Sequence, residues 1–134
     1  MNPEDLKTRT KQFALRVLKL VGALPNTVQG RTICGQLVRA GTAVGANYRA
    51  ACRGRSKAEF IAKLGIVEEE ADESAYWMEL IVEGELLKQS LVEPLLKEAN
   101  ELAKIMAKSR ISAAAGQQPV SPMVNRQLAI GNRK

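Results

Sequence analysis

The 134-residue chain contains no histidine, and every triad, dyad or metal site that needs an imidazole is thereby excluded, together with the commonest general base at neutral pH. Aromatic residues make up only 4%, and two cysteines without a histidine cannot complete a four-ligand zinc site. Cys34 and Cys52 read as small interior thiols of a reduced, cytoplasmic protein. The first residues, MNPEDLKTRTKQ, carry no signal-peptide apolar stretch, and no apolar run approaches the ~20 residues of a membrane span, so no membrane partner is expected. What is present is an aliphatic, basic composition: 46% hydrophobic, with 20 Lys and Arg against 14 Asp and Glu. This length supports a single core that buries roughly two-thirds of the unfolded surface.

Apolar residues recur at alternating steps of three and four, and no window alternates with period two, so the chain reads as all-α. Asn2 as N-cap, Pro3, Glu4 and Asp5 open a first helix that runs to about Leu24, with Leu6, Phe13, Val17, Leu20 and Leu24 inward. A second follows Thr27 on the seam Ile33, Leu37, Ala40, Val44, Asn47 and Ala51. Gly35, Gly41 and Gly45 each weaken that helix by up to ~1 kcal/mol, which implies either close approach of a neighbour or a local kink. Ser56 and Glu59 form a capping box that starts a third helix, running to about Lys88 with Phe60, Leu64, Val67, Ala71, Ser74, Met78 and Ile81 on its seam. Ser90 to Pro94 restarts a fourth, whose stripe of Leu95, Ala99, Leu102, Met106 and Ser109 fades near Ala113. Short connections favour an antiparallel up-down-up-down four-helix bundle over residues 1–113, followed by a flexible tail over 114–134.

Charge is segregated along the chain. Residues 25–57 hold six cations and no acid, whereas 58–89 hold nine acids and two cations. On a helical wheel the third helix has a second apolar sector, Ile66, Trp77, Leu80, Gly84 and Leu87, too far round to face the same core. It marks either an oligomer interface anchored by Trp77 or a helix covered by the chain's own neighbours. Glu70 and Glu73 border this sector and call for arginines, Arg39 or Arg49. With Gln36 close to Asn47 on its wheel, the residues Gln36, Arg39, Asn47, Glu70 and Glu73 are expected to form a core polar network. The acidic run Glu68 to Glu73 lacks specific metal-ligand spacing and reads as a salt-bridged face. No catalytic constellation, metal site or cofactor motif emerges, so the chain is not expected to be an enzyme. Arg49, Arg53, Arg55 and Lys57, with Tyr48 nearby, either contact phosphates or neutralise the acids of the third helix. Arg9 and Arg16 on the first helix complete the set of expected nucleic-acid contacts.

The stretch Gln36-Leu37-Val38-Arg39-Ala40-Gly41-Thr42-Ala43-Val44-Gly45-Ala46-Asn47, then Ser56 with Glu59-Phe60, then the acidic helix from Gly65 to Glu73, resembles a bacterial four-helix-bundle family. These are the S23-like proteins encoded within intervening sequences of 23S ribosomal RNA genes, and the similarity covers about residues 6–113. Where many members continue from the asparagine as Ile-Ala-Glu-Gly, this chain has Tyr48-Arg49-Ala50-Ala51. The resemblance implies a homopentamer, and related accessory proteins of diversity-generating retroelements use a basic surface to bind nucleic acid and a reverse transcriptase. The leading expectation is a non-enzymatic oligomeric module that binds RNA, DNA or a ribonucleoprotein partner. The alternative is a protein-interaction scaffold that binds no nucleic acid.

Overall fold

The computed structural model describes residues 1–117, which form α1 (Pro3–Val21), α2 (Val28–Cys52), α3 (Lys57–Glu83) and α4 (Gln89–Gln117). No strand occurs among the described residues, and none of their helices is long and apolar enough to cross a membrane. The flexible tail expected from 114 falls, from 118 onward, outside the described residues, while α4 continues through Gln117.

The three N-caps foreseen from sequence are formed. Asn2 Oδ1 accepts from Asp5 N at 2.8 Å, Thr27 Oγ1 from Gly30 N at 3.0 Å and Ser56 Oγ from Glu59 N at 3.1 Å. In the capping box, Glu59 reaches one residue further back than the usual pattern and accepts from Arg55 N at 2.7 Å. Helix ends depart more from the periodicity. α1 stops at Val21, because Leu24 precedes Pro25 and is pushed out of the helical region, and two short backbone bonds close the turn. α3 stops at Glu83 instead of about Lys88. There Leu86 N donates to Ile81 O at 2.9 Å and Glu85 N to Val82 O at 3.1 Å, a Schellman motif with Glu85 in the left-handed region at φ 57°. The apolar pattern runs past this stop because Leu86 and Leu87 fold back against the core. α4 begins at Gln89, which leaves Pro94 inside the helix and deprives the Ser90 carbonyl of its usual donor.

The expected seams meet in one core. Phe13, Val17, Leu37, Val44, Leu64, Val67, Met78, Ile81, Leu102 and Met106 are fully buried. Two buried hydroxyls stay satisfied within their own helices: Thr10 Oγ1 donates to Leu6 O at 2.7 Å and Ser74 Oγ to Glu70 O at 2.8 Å. On α2 the seam position given to Asn47 is taken by Tyr48, which is 4% exposed, while Asn47 is only half-buried. Consecutive helices pack on each other, and α1 meets α4 over a shorter stretch. Close approach of α1 and α2 rests on two glycines. A Cβ on Gly41 would stand 2.8 Å from Val17 Cγ2, and one on Gly45 would stand 3.3 Å from Thr10 Oγ1. Gly35, by contrast, faces open space.

Candidate nucleic-acid interface

The six basic residues singled out from sequence fall in three different places. Arg9 leaves the candidate set, because its guanidinium faces α4. There Nε donates to Glu98 Oε2 at 2.7 Å, and Nη2 donates to Glu98 Oε1 and Glu101 Oε1, both at 2.8 Å. The hydrogen bonds to Glu98, outweighing the opposing effect of burial, raise its pKa above the ordinary arginine value. Arg9 therefore ties α1 to α4 and has little capacity left for a phosphate.

Arg16 stands with Lys19 on a cleft of about 430 Å3 between α1 and α4, with the buried Leu20 and Leu95 at its floor and Ala23, Leu91 and Pro94 also lining it. Arg49, Arg53, Arg55 and Lys57 form the third group, where α2 ends and α3 begins. All four are exposed, and none has a carboxylate within ion-pair reach among the described residues. Arg49 also shares a groove of about 170 Å3 between α1 and α2 with Lys7 and Lys11, over a floor of small residues, Ala14, Thr42, Gly45 and Ala46. Lys7 pairs with Glu4 at 3.2 Å on the surface. Tyr48, near these cations in sequence, adds no surface ring to them, since it lies in the core. Burial first, then the neighbouring Cys52 thiol, pushes its hydroxyl above the usual phenol range.

The expected core polar network divides. Arg39 bonds Glu73 and, at 3.4 Å, Glu70, but its side chain is 51% exposed, so this is a surface ion pair bridging α2 and α3. Trp77 Nε1 donates to Glu73 Oε2 at 3.2 Å. The indole bond first, and Arg39 second, hold the Glu73 carboxyl below the ordinary glutamate range. Gln36 is exposed, and the Asn47 amide donates to Ala43 O of its own helix at 2.9 Å, so neither joins the cluster. Arg49, the other partner considered for these acids, takes no part. On the far side of α3, Glu68 accepts from Arg110 of α4 at 2.8 Å. The acids Glu69, Asp72, Glu79 and Glu83 remain exposed, without a cation partner among the described residues.

Of the second apolar sector expected on the third helix, Trp77 and Leu80 on α3 and Leu87 beyond its end pack partly against the chain's own core, and Ile66 is 37% exposed. Tyr76 stands beside them 52% exposed, its ring edge-on to Trp77 at 5.2 Å. Sequence reasoning missed exposed leucines elsewhere: Leu15, Leu18 and Leu91 are 52%, 46% and 55% exposed. A wheel drawn for α1 reveals Leu15 and Leu18, three residues apart and opposite the Leu6–Phe13 stripe. The Leu91 contribution depends on how α4 lies against α1.

Among the described residues, four helices around an aliphatic core, with the candidate functional residues at the surface, define a small all-α protein. The chain belongs to the 23S rRNA-intervening sequence protein family, whose model matches residues 5–108. A similar solved structure is that of a protein with unknown function from the S23 ribosomal protein family of Bacteroides thetaiotaomicron. It is 31% identical, with 83% of this chain and 99% of that chain covered and a TM-score of 0.73. No curated protein matches.

Proposed function

We propose that this chain is a non-enzymatic, cytoplasmic module that binds RNA or DNA through the cations Arg49, Arg53, Arg55 and Lys57, with Lys11 extending the surface along the α1–α2 groove. The observation that carries this reading is that these four cations converge on one end of the protein, exposed and unpaired among the described residues, while Glu68, Glu70 and Glu73 of the adjoining helix take Arg110 and Arg39 as partners instead. Unpaired, solvated cations release phosphate counterions on binding without first breaking an internal ion pair. An antiparallel up-down-up-down arrangement is supported by descending pairings: Val17 beside Gly41 and Thr10 beside Gly45, then Gly65 beside Arg110 and Lys57 beside Gly116. A homopentamer, the assembly implied by the family resemblance, would repeat the cationic end around a ring and multiply its field.

Mixed-sequence single-stranded RNA and DNA, titrated by fluorescence anisotropy at two salt concentrations, test the proposal. Binding should weaken steeply with salt, and an Arg49→Ala/Arg53→Ala/Arg55→Ala variant should flatten the logarithmic salt slope by about 0.7 for each phosphate that is no longer neutralised. Absence of binding at low salt would sink the nucleic-acid reading and leave the protein-interaction scaffold.

A further inference from the structure

We propose that the leucine-bearing, cationic face of α1, with its cleft against α4, receives the acidic outer face of α3 from a second copy of this chain. The inference rests on the oligomeric reading above and supplies the surfaces that would meet. On α1, Leu15 and Leu18 stand exposed on the side turned away from the core, and Leu91 stands exposed across the cleft. Arg16 and Lys19 line this cleft and have no ion-pair partner among the described residues, in contrast to Arg9 a short way along the same helix. Exposed leucines interleaved with unpaired charge of one sign make the kind of surface that another protein covers.

The matching surface lies on α3. Glu69, Asp72, Tyr76, Glu79 and Glu83 step three, four, three and four along one face, which places an aromatic ring within a stripe of exposed acids. The two patches are complementary in sign and each offers apolar area, which favours both encounter and register. They do not satisfy each other within one copy, because Arg16 and Lys19 form no ion pair with these acids and the α1 and α3 backbones are not neighbours among the described residues. Contact between two different faces is head-to-tail, an arrangement that closes into a ring when the rotation between neighbours permits. The chain's own residues 118–134 are a poorer occupant, since they carry Arg126, Arg133 and Lys134 and no acid, and would meet Arg16 and Lys19 with like charge. Nucleic acid is also a poor match, because the cleft floor is aliphatic and offers no ring for a base to stack on.

Sedimentation velocity on four proteins decides the matter: wild type, Arg16→Glu/Lys19→Glu, Asp72→Lys/Glu79→Lys, and the quadruple variant that combines them. All four positions are at the surface, and circular dichroism with thermal melts confirms that each variant folds. We expect an oligomeric wild type, loss of assembly to the monomer in each double variant, and its return in the quadruple variant, where the signs are exchanged but complementary. A monomeric wild type would overturn the oligomeric reading and this inference together. An oligomer indifferent to both double variants, or one not restored in the quadruple variant, would overturn this interface alone. Unchanged assembly of Arg16→Glu/Lys19→Glu accompanied by weaker RNA binding would assign the face to nucleic acid instead.

Discussion

Glu73 shows how much a single side chain's surroundings matter here: its carboxylate accepts from the indole of Trp77 and from Arg39, so the charged form is favoured in the folded state. The sign of the pH effect follows. A carboxyl whose folded pKa is depressed contributes stability that is fully present above its unfolded value and is lost as the pH falls through the folded value. Trp77 is the only tryptophan, so its fluorescence should report the event directly, with a step at a pH below the ordinary glutamate value of 4.5. Glu73→Gln should abolish that step. The difference in melting temperature between the two proteins should stay constant near neutral pH and narrow in acid. A wild-type step above 4.5 would contradict the arrangement.

At the scale of the element, α2 depends on glycines that look alike in sequence and differ in what faces them. Gly35 meets nothing within 4 Å, so Gly35→Ala should raise the urea midpoint through a helix-propensity gain of roughly 0.5–1 kcal/mol. At Gly41 the same gain is opposed by crowding against Val17, an overpacking cost of about 1–3 kcal/mol, so Gly41→Ala should fall at or below wild type. At Gly30 a Cβ would stand 1.9 Å from the Pro25 carbonyl oxygen, so the backbone must shift and Gly30→Ala should be the least stable of the three. Denaturation curves that rank the variants otherwise would refute this account of α2. Local sequence was a good guide to helix starts, because Asn2, Thr27 and Ser56 act on backbone groups only three residues away. It was a poorer guide to helix ends, where Leu86 and Leu87 kept the apolar rhythm beyond the Schellman turn. It also could not distinguish Asn47 from Tyr48 at the seam, since adjacent positions differ by one helical step and the packing of the neighbouring helices decides which one is covered.

For the whole molecule, the main outcome is which charges hold the fold and which remain available. Arg9 joins the two helices that meet over the shortest stretch, and its carboxylate partner Glu98 has a side chain only 17% exposed. Arg9→Ala should therefore lower stability by about 1.5–3 kcal/mol, the usual range for charge-assisted bonds, while leaving nucleic-acid affinity and its salt slope nearly unchanged. The reverse pattern, unaltered melting with weaker RNA binding, would return Arg9 to the interface. Sequence by itself determined the all-α class, the number of helices, most of the core and the exclusion of imidazole chemistry, because these follow from composition and from a periodicity repeated along each helix. It also determined the segregation of charge, but not the pairing. Tertiary structure alone decided that Arg9 and Arg39 are engaged, that Tyr48 is buried, and that Arg49, Arg53, Arg55 and Lys57 stay free of carboxylates among the described residues. The physical reason is that a helical wheel fixes where a side chain points around its own axis, whereas an ion pair depends on which helix lies opposite and at what height.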